Sequence, residues 1–231
     1  MSSMEEALNG VKGNIAWAVT SSGRRSQDVE LIAVTKTLPV ETINEAVGLG
    51  MRHFGENKVQ EIREKYERVS TPVSWHMIGH LQSNKVKYII DKVCLIHSLD
   101  RMSLAKELEK RAAAQKLCIS VLIQVNVAQE ESKHGMAVEE VLPFIRRVQK
   151  FKQIHVRGLM TMAPHNDDAE AARPIFRRLS ELKEEISQLE LAGVDMDILS
   201  MGMSNDYMVA IEEGATMVRV GSAIFGSRTD T

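Results

Sequence analysis

The feature that most constrains this 231-residue chain is an alternation between two hydrophobic periods. Short runs that are apolar almost without break are each followed by a longer stretch whose apolar residues recur every three or four positions. A run with no polar face suits a strand covered on both sides, and parallel strands need a long crossover, usually a helix, to return. Eight strands can be read this way: Leu31–Thr35, then one each within "MRHFGEN", "VSWHMIGH", "KVCLIHSL", "LCISVLIQVNV", "IHVRGLMTM", "MDILSMGMS" and "TMVRVGSAIFG".

The helical stretches fall between them. Leu8, Val11, Ile15 and Val19 stripe an extra helix over residues 4–20, ahead of the first strand. After the polar connector "SSGRRSQD" and that strand, Pro39 opens a helix at its first position, and Val40, Ile43 and Val47 form its apolar face. A further helix is read across "SNKVKYIID". Asp100 is the expected N-cap of a helix bearing Leu104, Leu108 and Ala112. Val138, Val141, Ile145 and Val148 stripe another, with Pro143 inside it. Pro174 begins or breaks a long helix through Phe176, Leu179, Leu182 and Ile186, and "DYMVAIEEGA" makes a short one. No helix is read between the second and third strands. Eight strand–helix units at about 200–250 residues fit a closed (β/α)8 barrel, the TIM barrel. An open doubly wound sheet is the alternative this pattern leaves standing. Composition shows no break, so residues 1–231 are expected to form a single domain.

Charge narrows the partners. With a net charge of −2, the chain has no global basic field to recruit nucleic acid or an anionic membrane. No apolar run approaches the ~18 residues of a membrane span, and "MSSMEEALNG" lacks the build of a signal peptide. Cys94 and Cys118, outside any C-x-x-C pattern, read as reduced core thiols of a cytoplasmic protein.

In a barrel of this type the chemistry sits at the C-terminal ends of the strands. Those ends carry Lys36, Asn57, His80, Asn126, "MTM", Ser200 with Ser204, and Arg219 followed by Gly221 and Ser222. Small residues after the last two strands suit an anion, because backbone N–H groups can approach it; ordinary turns would look similar. Lys36 shares its strand face with Ile32 and Val34. It is either a solvent-facing lysine or a desolvated amine able to attack an aldehyde. Arg219 alternates with Val218 and Val220 and so lies on the opposite face from them. It either pairs with a carboxylate such as Asp197 or Glu212, or faces a ligand inside the barrel. A lysine, a phosphate site and an arginine in one mouth fit an aldehyde-bearing phosphate ester. A sugar phosphate on an aldolase is one such ester and pyridoxal phosphate is another. An arginine opposite a pyridine nitrogen donates a hydrogen bond and cannot accept a proton, which leaves the ring a weaker electron sink.

Other signals are slighter. His76 and His80 are four apart, but a strand end and Gly79 intervene, so His76 reads as a barrel-lining histidine and His80 as a residue near the mouth. Met160, Met162, Met201 and Met203 cluster at strand ends, as core filling or pocket lining.

Five ordered motifs, "LIAVTKT", "HFGENKVQE", "WHMIGHLQSNK", "LSMGMSNDY" and "VRVGSAIFG", together resemble the pyridoxal phosphate homeostasis protein family, the YggS/PROSC type, from about residue 10 to residue 228. The resemblance implies the barrel of the alanine racemase N-terminal domain, fold type III among pyridoxal phosphate proteins. It implies that Lys36 carries pyridoxal 5'-phosphate as a Schiff base, that Arg219 faces the pyridine nitrogen, and that Asn57 lies beside the ring. Ser204, Gly221 and Ser222 match the phosphate cup, with Ser200 a weaker candidate. Lys133, in "EESKHGM", also matches the pattern, although a solvated loop lysine is the plainer account.

Alanine racemase adds a β-domain with a catalytic tyrosine, whereas this chain ends just past its eighth strand. Tyr66, Tyr88 and Tyr207 all lie away from strand ends. A racemase needs two acid/base groups, and only Lys36 can be named. The expectation is therefore a monomeric carrier that holds the cofactor and passes it to pyridoxal phosphate-dependent apo-enzymes, with no catalytic residue and no metal. A weak amino-acid racemase is the alternative, and a barrel aldolase the third.

Overall fold

Eight parallel strands close on one another in chain order: β1 (Glu30–Val34), β2 (His53–Glu56), β3 (Ser74–Met77), β4 (Leu95–Leu99), β5 (Ile119–Gln124), β6 (Ile154–Met160), β7 (Val194–Ser200) and β8 (Met217–Val220). The last returns to pair with the first, Ile32 opposite Arg219 and Ala33 opposite Val220. That closure decides for the barrel over the open sheet. The structure is a computed structural model and describes residues 2–25, 28–130 and 133–226. Part of the connector "SSGRRSQD", part of "EESKHGM" and the end of the family resemblance near residue 228 lie outside the described residues.

Around the barrel run α1 (Ser3–Ser21), α2 (Val40–Gly48), α3 (Val59–Tyr66), α4 (Met102–Gln115), α5 (Val138–Val148), α6 (Arg173–Ser187), α7 (Tyr207–Glu212) and the single turn α8 (Ser222–Phe225). The extra helix α1 starts where the Ser2 side chain accepts from Glu5 N, and Glu5 and Glu6 sit in its positive first turn. It buries Leu8, Val11, Ile15, Ala18 and Val19. Asn14 Nδ2 donates to Tyr207 Oη on α7 (3.0 Å). Arg24 donates to the carbonyls of Ile211 and Ala215, near the end of α7, where helical acceptors lack partners of their own.

Several expectations are corrected. Pro39 is the N-cap of α2, one residue before its first turn. Asp100 caps nothing: α4 starts at Met102, and the Asp100 carboxylate is held by Arg101 instead (2.6 Å). The helix expected over "SNKVKYIID" is a 3-10 segment, Ser83–Tyr88, with Val86 its one buried side chain. The two cysteines are free, but neither is a core residue: both are exposed, each just before a strand, β4 or β5. The unexpected helix is α3, "VQEIREKY", whose apolar side chains on the barrel face are Val59 and Ile62.

Most apolar burial lies between the strands' outer faces and the helices, with Phe54, Trp75, Leu108, Phe176 and Leu179 among the buried side chains. A smaller cluster of Leu95, Leu122 and Met160 fills part of the lumen. Among the described residues no helix is long and apolar enough to cross a membrane.

Pairing slips beside Gly158, where β6 shifts register against both β5 and β7. Gly158 has φ +151°, and a Cβ there would stand 1.9 Å from Ile198 O. Gly158→Ala is expected to cost about 1–3 kcal/mol in urea unfolding, with the barrel's far-UV circular dichroism retained. An unchanged unfolding midpoint would contradict this account of the shift.

Candidate functional site

The backbone around Lys36 is held from both sides. Thr35 O accepts from Lys65 Nζ (2.8 Å), and Thr35 Oγ1 donates to Glu56 Oε1 (2.7 Å). Thr37 has φ 65°, a left-handed conformation that a β-branched residue rarely adopts, and its N–H donates to Glu61 Oε2 (2.5 Å). Lys65 Nζ ties these together by donating also to Glu56 Oε1 (2.7 Å) and Glu61 Oε2 (2.8 Å). All three ammonium hydrogens thus have acceptors, which a lysine this buried requires. Burial pushes the Glu56 carboxyl up to about 7, against the pull of Lys65 and Thr35. Burial acts upward on Glu61 too, but its bonds from Lys65 and the Thr37 N–H hold it below the usual carboxylate range. The helix that the apolar pattern does not announce, α3, therefore carries the clamp. The only hint in the sequence is the i, i+4 pair Glu61–Lys65.

Across the β1–β8 seam, Arg219 points into the lumen and is 3% exposed. Its Nη1 donates to Ser200 Oγ (2.6 Å) and its Nη2 to Thr161 O (2.9 Å). Burial lowers the guanidinium to about 10, partly offset by Asp206. The carboxylate partners weighed from sequence lie elsewhere: Asp197 faces Arg157, and Glu212 faces Arg173. Ser200 is fully buried beneath Arg219, so it supports the arginine and takes no place in a phosphate cup.

The loop after β7 turns at Gly202, φ +91°, where a Cβ would lie 2.6 Å from that of Ala210. Ser204 Oγ then accepts from Gly221 N (3.1 Å) and Ala223 N (3.3 Å), joining this loop to the start of α8. Asp206, which the sequence reading passed over, is buried. It accepts from Met203 N (2.6 Å), and burial raises its carboxyl. On the far side, Gly79 lets the chain end of β3 pass Asn57 closely: a Cβ at Gly79 would be 2.4 Å from Asn57 O.

These pieces enclose one cavity of about 570 Å³ at the C-terminal end of the barrel. Lys36, Asn57, Ser204, Arg219, Gly221 and Ser222, all six residues expected at the site, line it together with Val34, Met162, Met203, His165 and Asp206. Met160 and Met201 are buried outside it. Asn126 is turned to its own loop, bonding the backbone of Glu130, and Lys133 is exposed beside Glu130 (3.9 Å). Tyr207 is engaged by Asn14, and none of the three tyrosines lines the cavity.

His76 is a lumen residue, as expected, and it bonds two further histidines, His53 and His97. His80 lies at the surface near Asp100 and His134, with ligand atoms within 4.8 Å of one another. Its ring stacks on that of His134 at 4.1 Å and 22°. Nearly parallel rings send their in-plane lone pairs in parallel directions, so this trio does not converge on one ion.

Residues 8–229 match the family described as alanine racemase, N-terminal domain. The chain is 45% identical to a pyridoxal phosphate homeostasis protein of Aquifex aeolicus (strain VF5), over 96% of this chain and 97% of that protein. It is similar to the solved structure of PipY from Synechococcus elongatus PCC7942 with PLP bound, at TM-score 0.80 and 33% identity, covering 92% of this chain and all of that one. An alanine racemase from Clostridium difficile 630 shares the fold at TM-score 0.75 and 16% identity, over 98% of this chain and 57% of that one.

The clamp on Lys36 can be tested in the protein alone. Lys65→Met strands Glu56 and Glu61 without their cation, and at pH 8 it is expected to cost about 3–5 kcal/mol in denaturant unfolding. The deficit should shrink towards pH 5, because protonating Glu56 removes the stranded charge. A small, pH-independent cost would show that Lys65 does not neutralise this cluster.

Proposed function

We propose, from the premise that this chain belongs to the pyridoxal phosphate homeostasis protein family on the alanine racemase N-terminal barrel, that it binds pyridoxal 5'-phosphate as a Schiff base on Lys36. In this reading it holds the cofactor for intracellular vitamin B6 and amino-acid balance and passes it to apo-enzymes that need it. The observation that carries the reading is the meeting of Lys36, Arg219 and the Ser204–Gly221–Ser222 loop in one cavity of about 570 Å³, a size in the usual range for small-ligand sites.

The residues fit the group. Arg219 is a buried cation whose hydrogen-bond partners, Ser200 and Thr161, are both neutral, which leaves its charge for a ligand acceptor. At Gly221 a Cβ would press to 3.3 Å from Val34 O and take up room between β1 and the loop. When bound, the cofactor supplies an electrophilic aldehyde and a ring that can act as an electron sink. Lys36 would hold the aldehyde carbon, with its position set by the Thr35 and Thr37 contacts. Ser204, Gly221 and Ser222 would hold the phosphate, and Asn57 would flank the ring. Arg219 would donate to the ring nitrogen and, remaining a cation, give it no proton. An unprotonated ring is a poor sink, which supports holding over catalysis. The two unpaired, exposed cysteines suit a reducing compartment such as the cytoplasm. The exposed large apolar residues Trp17, Tyr66 and Leu189 lie on separate elements, which supports a monomer.

One observation favours a second reading. His165 and Asp206 line the cavity with Lys36, so a second acid/base group for a weak racemase is at hand. Exchange of the α-proton of alanine in deuterated water decides it: a carrier gives no exchange above free pyridoxal phosphate.

Protein incubated with pyridoxal phosphate should show a visible band that borohydride bleaches, leaving a reduced adduct mapped by mass spectrometry to Lys36. Lys36→Ala should lose band and adduct together. An unmodified Lys36, or a band that survives the substitution, overturns the assignment; a substrate-derived imine of an aldolase would give no such band.

A further inference from the structure

A continuous chain of hydrogen bonds crosses the lumen beneath the cavity. His53 Nδ1 lies 3.0 Å from His76 Nε2, His76 Nδ1 lies 3.0 Å from His97 Nε2, and His97 Nδ1 lies 2.9 Å from Ser200 Oγ. Ser200 Oγ accepts from Arg219 Nη1 (2.6 Å). At the other end His53 Nε2 is 3.7 Å from Glu30 Oε2. Glu30 and His53 line a second cavity, of about 470 Å³, at the N-terminal face of the barrel. Four strands, β2, β3, β4 and β7, each contribute one link.

The ends set the direction. A guanidinium only donates and a carboxylate only accepts. With Arg219 at one end and Glu30 at the other, each imidazole carries its hydrogen on Nε2, pointing towards Glu30, and each Nδ1 accepts from the side of Arg219. Burial lowers His76 to about 3, and the fully buried His97 well below its ordinary value, with His76 and Arg219 adding to the effect. The inner rings therefore stay neutral, and each can take a proton on one nitrogen only by releasing one from the other.

We propose that His53, His76 and His97 form a proton relay through the barrel, coupling the protonation of His53 at the N-terminal face to the Ser200 hydroxyl that holds Arg219. The balance is simple. A proton on His53 Nδ1 opposes the hydrogen on His76 Nε2. Relief comes when His76 and His97 both change to their Nδ1–H forms, so that each ring donates towards Ser200. His97 Nδ1–H then points at Ser200 Oγ, whose own hydrogen must turn to another acceptor. Completed from end to end, the shift takes one proton in at His53 and passes one out from Ser200 Oγ, with His76 and His97 neutral before and after. The groups facing His53 are Glu30 from β1, His76 from β3, Lys12 from α1, and its neighbour Arg52. Ahead of β4, Cys94 stands 3.4 Å from His76 Nε2; its residue is exposed, but its thiol donates inward to Trp75 O, and burial pushes it up to about 11, so it remains a thiol. The relay needs no cofactor. Its use, to set the floor on which the ring nitrogen rests, depends on the function proposed above.

The test is nuclear magnetic resonance of the cofactor-free protein labelled with ¹⁵N-histidine, titrated through the range in which His53 protonates. The protonated and unprotonated nitrogens of His97, two rings away, should exchange places with the midpoint of His53. His53→Gln, a change at the half-buried end of the chain, should leave His97 in one form throughout. His76→Phe, which breaks the middle link, should let His53 titrate alone. A His97 that stays fixed while His53 titrates, or that switches unchanged in His53→Gln, overturns the relay. In the protein loaded with pyridoxal phosphate, the His53 midpoint should shift from its cofactor-free value, and the shift should vanish in His76→Phe. An equal shift in that variant would show coupling by another route and overturn it too. Failure of the cofactor to bind would instead remove the proposed function and leave the cofactor-free result standing.

Discussion

A guanidinium buried inside a barrel lumen dominates the design of this molecule. Arg219 has been taken out of water, where an isolated charge is costly, and its direct partners are a hydroxyl and a peptide carbonyl. Asp206 acts on it only through the field. A carboxylate bonded directly to it would have closed the account locally. Its absence from Arg219's bonds explains two neighbouring features. Ser200 must keep an oxygen lone pair turned to the arginine, which makes the partner on its other side, His97, part of the same problem. The cavity above the arginine, in turn, is where an acceptor for its remaining charge belongs.

The carboxylates of this region are placed elsewhere. Glu56 and Glu61 gather on Lys65, under the end of β1. This keeps negative charge beside the backbone of Lys36, on the α3 side, while the lumen holds Arg219 and neutral imidazoles. An anionic phosphate ester entering the mouth thus meets positive potential from Arg219, with Asp206 as the buried carboxyl opposing it. Burial raises the Asp206 carboxyl, which lessens that opposition.

Much of this was legible in the residues. Strand parity alone put Lys36 with Ile32 and Val34, and Arg219 opposite to its valines, so the inward direction of both cations followed from a period of two. The eight strands were readable because parallel strands covered on both sides are apolar throughout. What escaped reading escaped for physical reasons. Helix α3 buries Val59 and Ile62 but also the lysine Lys65, and a buried charge at a core position looks like solvent-facing surface in any apolar pattern. Asp206 was passed over because one acidic residue in a loop has no period. The histidine chain was invisible because its members are distant in sequence and become neighbours only when β2, β3 and β4 pair: His76 stands opposite Leu95, two residues from His97.

That chain and the clamp also show why the barrel suits the role assigned to it. A site that merely holds an aldehyde needs an amine in a fixed place and a ring partner that supplies no proton. The first requirement is met from outside the lumen, through Thr35 and Thr37, by a lysine with all its hydrogens engaged. The second is met from inside, by an arginine resting on Ser200. The two supports share no residue, so the covalent anchor and the electronic character of the floor can vary independently. Only the floor is wired, through His97 and His76, to the opposite face of the barrel. A change in conditions at that face can therefore reach the ring's partner while the attachment of Lys36 stays as it was, which is the division of labour expected of a protein that must hold its cargo firmly and still respond to its surroundings.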